Sequence, residues 1–156
     1  MPEYKTTSGA VTASKRVTAT DVFTQNADGA IIEVDQPAGT ILNDVIVRFT
    51  QASAHASSSD AGYEIGTTTS GAQLGTNADG FLDAGTAIPL NATYFLRSGN
   101  SAAGDDFDTA NDAAAPTAAP GYTDAKRTLY LTFLHGNTAV TTNANVEVNF
   151  VFTHLN

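Results

Sequence analysis

The stretch ANVEVNFVFTHL, residues 144–155, decides how this chain is read. Val146, Val148, Phe150 and Phe152 alternate with Glu147, Asn149 and Thr153. Side chains of an extended strand point to opposite faces in turn, so a period of two describes a ribbon with one face in a core. Val151 and Leu155 break the pattern, because both are apolar and both fall on the face that should be wet. Something besides this strand is needed to cover them.

The same period recurs upstream. AIIEV (30–34) sets Ala30, Ile32 and Val34 on one face, and DVIVRF (44–49) sets Val45, Val47 and Phe49 inward with Ile46 and Arg48 outward. GYEIGT (62–67) pairs Tyr63 with Ile65 around an outward Glu64. ATYFLR (92–97) alternates Ala92, Tyr94 and Leu96 against Thr93, Phe95 and Arg97, and TLYLTFLHG (128–136) aligns Leu129, Leu131 and Phe133. None of these runs has the 3.6-residue period of an amphipathic helix. NADG occurs at 26–29 and 77–80, TTSGA at 6–10 and 68–72, with unequal spacings, so they read as reused turn vocabulary. Asp28-Gly29 and Asp79-Gly80 suit tight turns that need positive φ.

Short strands with turn signals between them predict an all-β chain folded as an antiparallel β-sandwich, jelly-roll-like, with about eight strands. Residues 101–124, SAAGDDFDTANDAAAPTAAPGYTD, stand apart as a long loop insertion, with one helical turn expected near Asp108–Ala114. Residues 1–20 are polar and read as an extended N-terminal arm, and residues 21–156 as the sandwich domain.

Composition narrows the function classes. A chain of 156 residues is long enough for one domain with a real core. Only 15% of residues are charged, against roughly 25% in typical domains. Thr, Ala, Gly, Ser and Asn fill the difference and make neutral, hydrogen-bonding surfaces. The net charge of −9 opposes association with polyanions, so no nucleic acid and no anionic membrane surface is expected as a partner. No apolar run approaches the ~20 residues of a membrane span, and none follows the amino terminus as a secretion signal would. Without cysteine there is no disulfide, thiolate metal site or thiol nucleophile.

The remaining chemistry is sparse. His55, His135 and His154 have no metal-ligand spacing among them. Asp105, Asp106, Asp108 and Asp112 have the density of a calcium loop but lack its turn glycine and closing glutamate. No Gly-x-Ser-x-Gly elbow occurs, and Glu33, Glu64 and Glu147 read as outward strand positions rather than a hydrolytic pair. No catalytic residue, cofactor or metal is therefore expected. A carbohydrate-binding, lectin-like module is the alternative, but tryptophan is absent and Tyr63, Tyr94, Tyr122 and Tyr130 are dispersed.

What remains is surface. Ile46 beside Arg48, Phe95 beside Arg97, Tyr130 with Leu134, and Val151 with Leu155 are apolar residues at outward positions. Apolar patches on outer faces imply a partner. Together with Lys5, Lys15 and Arg16 of the arm, these residues form the expected oligomer or partner interface. The arm is expected to lie on a neighbouring subunit.

Four runs carry a resemblance: QPAGTILNDVIVRFTQAS (36–53), GYEIGTTTSGAQLG (62–75), ADGFLDAGTAI (78–88) and TLYLTFLHGNTAVTTNANVEVNFVF (128–152). The Pro37-Ala38-Gly39 turn with Ile41, the strand Asp44 to Val47, then Ile65-Gly66-Thr67, Asp79-Gly80 and the closing hairpin resemble a module of tailed-bacteriophage virion proteins. The resemblance implies a jelly-roll-like structural protein of the head decoration, or capsid cement, type. It further implies a homotrimer on the outer surface of the capsid, with the major capsid protein as partner. Related modules also serve in tail and baseplate parts. The 101–124 insertion departs from the pattern.

Overall fold

The computed structural model describes residues 12–23, 29–52, 54–55, 61–69, 74–82, 88–97, 121–135, 140–142 and 144–155. Among these residues every regular element is a strand. The strands are β1 (Thr12–Ala19), β2 (Ile31–Gln36), β3 (Thr40–Phe49), β4 (Ala54–His55), β5 (Ala61–Gly66), β6 (Gly75–Leu82), β7 (Thr93–Arg97), β8 (Tyr122–Thr123), β9 (Arg127–His135), β10 (Val140–Thr142) and β11 (Val146–His154). A five-stranded sheet runs β1-β11-β3-β7, with β8 also pairing β3, and a four-stranded sheet runs β2-β9-β5-β6. The short β4 and β10 pair with each other. All pairings are antiparallel. The chain is a β-sandwich.

The long strands pair as a doubled ribbon. The first joins the last (β1 with β11), then β2 joins β9, β3 joins β7 and β5 joins β6. This ribbon rolls into two layers whose inner faces share one core. Val45, Val47 and Phe49 of β3 and Val146, Val148, Phe150 and Phe152 of β11 supply one wall; Ile32, Val34, Leu129, Leu131, Phe133, Tyr63 and Ile65 supply the other. Phe23, Phe49, Phe81, Phe133, Tyr63 and Tyr94 interlock by edge-to-face and stacked contacts with centroids 5.0–6.2 Å apart. Such pairs add about 0.5–1.5 kcal/mol each beyond area burial.

The ribbon changes sheets at residues 36–40. Gly39 adopts φ 70°, a left-handed conformation that glycine takes without strain. Its N–H donates to Thr123 O at 2.8 Å, and its carbonyl accepts from Leu155 N–H at 3.0 Å. Beneath the corner the fully buried Gln36 donates from Nε2 to Thr40 O (3.0 Å) and Gly121 O (2.7 Å), while Oε1 accepts from Arg127 Nε (2.9 Å). One amide thus ties β2, β3, β8 and β9 together, and its buried polar atoms are satisfied.

Two sequence expectations change. Residues 12–19 are not an arm separate from the sandwich: they are β1, in continuous register with β11 from Thr12↔Thr153 to Ala19↔Val146. Ala13, Val17 and Ala19 pack on the core, so alternation outweighs the polar composition that suggested an arm. Residues 1–11, with Lys5, lie outside the described residues, as do 101–120 with the proposed helical turn and the aspartate cluster. Asp79-Gly80 does not connect two strands but lies within β6, in an irregular stretch where the step from Asn77 to Leu82 is matched by only Tyr63 to Ala61 of β5. Among the described residues positive φ falls at Asp21, Gly39 and Asn91.

Two outcomes follow for stability. Gln36→Leu removes three hydrogen bonds from a buried corner, so denaturant unfolding should show a loss of about 1–3 kcal/mol. Deleting residues 1–19 removes an entire edge strand and uncovers one side of β11, so thermal melting should shift down strongly, whereas a merely appended arm would leave the melt unchanged.

Candidate interaction face

The outer face of the five-stranded sheet is built by the residues that alternate with its core. Register sets them in rows across β1, β11, β3 and β7. One row is Thr18, Glu147, Arg48 and Thr93; the next is Arg16, Asn149, Ile46 and Phe95; the third is Ser14, Val151, Asp44 and Arg97. A bulge follows between Val151 and Phe152, where β3 skips Asn43. Asn43 Nδ2 donates across it to Thr153 Oγ1. Beyond the bulge, Ile41 stands opposite Tyr122.

Glu147 is the electrostatic centre of this face. Its carboxylate accepts from Arg48 Nη2 at 3.0 Å and from Arg16 Nη2 on the other side, joining β1, β11 and β3. Its side chain is only 12% exposed, while those of the two arginines are 62% and 43% exposed. The Arg48 hydrogen bond holds the Glu147 carboxyl below its ordinary range, aided by attraction to Arg16 and opposed by desolvation. Two guanidiniums sharing one carboxylate leave net positive charge on this face of a protein of charge −9.

Around this triad lie the apolar residues. Phe95 is 48% exposed, Ile46 and Val151 are half-buried, and Tyr122 is 39% exposed. Val151 is flanked by β1 and β3 of its own chain, which answers part of the question its position raised. Leu155, past the end of β11, remains 54% exposed.

The expected interface residues therefore do not form one patch. Arg16, Ile46, Arg48, Phe95 and Val151 share the outer face of the five-stranded sheet, and Arg97 occupies the same face by register opposite Asp44. Tyr130 and Leu134 belong to the outer face of the four-stranded sheet, on the far side of the sandwich, with Glu33 and Glu64. Residues on opposite faces cannot converge on one axis as a shared apolar core. Lys15 is elsewhere again: it stands opposite Phe150 at an inward position of the edge strand, yet is solvent-exposed. Inward-pointing charge on an edge strand discourages indiscriminate pairing.

Sequence reading missed Ile31 (45% exposed) and Leu90 (56%). Ile31 was hidden because its neighbour Ile32 carried the core pattern. Arg16 and Arg48 read as contacts for another molecule, but both are engaged by Glu147 within the chain. Only register, which brings residues 16 and 147 together, reveals this.

Among the described residues no group of three or more His, Asp or Glu could hold a metal ion, and no helix is long and apolar enough to cross a membrane. The tyrosines of a sugar platform are scattered: Tyr63 is buried, Tyr94 donates to Phe81 O at 2.9 Å, and Tyr122 and Tyr130 lie in different sheets. No protein-family model matches the chain, and no curated protein matches it.

Glu147→Gln should lower the melting temperature at neutral pH. The folded carboxyl titrates below the unfolded one, so its contribution is full above about pH 4.3, the ordinary glutamate value. The gap between wild type and variant should close as pH falls through the folded value, read by melts from pH 7 to 2. A gap that stayed constant would place the triad outside the stability of the sheet.

Proposed function

We propose that this chain is a non-enzymatic structural protein of a tailed-phage particle. It binds the capsid exterior through the outer face of its five-stranded sheet, bridges subunits of the major capsid protein, and so cements the shell. The observation that carries this reading is that face: a wide, rigid antiparallel surface with Phe95, Ile46 and Val151 beside the Arg16–Glu147–Arg48 triad. Aromatic and arginine side chains are the groups that most often anchor protein interfaces.

Two further points support it. The Pro37-Ala38-Gly39 stretch that resembles the virion module forms the corner between the sheets, and the first-to-last strand pairing agrees with a jelly roll. The charge of −9 suits the outside of a shell, away from packaged nucleic acid.

The reading predicts many copies per particle, counted by mass spectrometry of purified virions. Phe95→Asp should reduce that occupancy at least about tenfold, as expected of an interface anchor, while the isolated protein keeps its wild-type melt. Tyr130→Asp, on the opposite face, should leave occupancy unchanged. Absence from particles, or equal binding by the Phe95 variant, would overturn the proposal.

A further inference from the structure

One side of the sandwich carries no further strand among the described residues. The edge of the five-stranded sheet there is β1 and the edge of the four-stranded sheet is β2; each is bonded on one side only among the described residues. Between them runs a groove of about 470 Å³, lined by Lys15, Arg16, Val17, Glu33, Val34, Asp35 and Thr128. Its floor is apolar: Val34 is buried and Val17 half-buried. Its two rims carry opposite charge. The β1 rim presents Lys15 and Arg16, both exposed; the β2 rim presents Glu33, also exposed, and Asp35, which pairs with Lys126 at 2.8 Å. Lys15 attracts Asp35 across the groove, but among the described residues neither Lys15 nor Glu33 forms a hydrogen bond or a close ion pair.

We infer that this groove is the contact between two copies of the chain, related by a two-fold axis parallel to the strands that sets the Lys15 rim of each against the Glu33 rim of the other. The charge pattern selects that arrangement. A two-fold axis across the strands would bring β1 to β1, placing Lys15 and Arg16 against themselves and Glu33 and Asp35 against themselves, which like-charge repulsion opposes. The axis along the strands reverses upper and lower sheets, so each cationic rim meets an acidic one. Such a self-complementary patch satisfies both halves of an isologous contact at once. The contact also closes water out from above Val17 and Val34, and it shares only Arg16 with the outer face assigned to the capsid.

Sedimentation equilibrium of the whole chain tests this. In low salt, about 50 mM, the wild type should dimerise, and the dimer should weaken in about 1 M salt, where screening reaches about 3 Å. Lys15→Glu and Glu33→Lys should each weaken it at least about tenfold, as charge reversal at a paired contact does. Mixed together, these two variants should form a heterodimer holding one copy of each, because both contacts are then oppositely charged. The Lys15→Glu/Glu33→Lys double variant should dimerise with itself. Wild-type melting curves for the single variants exclude unfolding, and Lys15→Gln with Glu33→Gln give the same reading without reversed charge. A wild-type monomer at every concentration, a dimer indifferent to both reversals, or a mixture that stays monomeric would each overturn the inference.

Discussion

The structure depends on β11 being paired along both edges. With β1 on one side and β3 on the other, its backbone groups are satisfied, and its four inward side chains, Val146, Val148, Phe150 and Phe152, are at most 1% exposed. An unpaired edge here would leave the broadest wall of the core open to solvent. The same pairing builds the outer face, because Glu147 projects from the centre of three strands and meets an arginine from each neighbour. Core and surface are two consequences of one register.

Much of this was legible from residues alone. Alternation located the inward faces of β2, β3, β5, β7, β9 and β11, since burial of every second side chain is what a half-wet strand requires. Phe95 was read as outward and is. What could not be read was which strand stands beside which. The Arg16–Glu147 pair spans 131 positions in sequence, and nothing local marks it. β1 was hidden for a related reason: an edge strand buries little, so its composition stays polar. The consecutive half-buried Asn43 and Asp44 mark a bulge that alternation alone does not foresee. The glycine-rich β6 read as a turn because its short side chains carry no hydrophobic period.

The candidate surfaces divide by character. The outer face of the five-stranded sheet combines apolar area with arginine, which suits a broad, dry docking contact. The open side between β1 and β2 is narrow and charged, which suits orientation more than affinity. On the proposed function, the first would seat on the capsid and the second would meet another copy of the chain.

Because β1 bonds to β11, this pairing cannot form until residues 146–154 have been synthesised. β1 leaves the ribosome well before β11 and waits for it. Contacts so distant in sequence are slow to close and leave nascent edges exposed to strangers. The polar TASKRVTA sequence of β1, with its adjacent lysine and arginine, suits a segment that must wait in water for its partner.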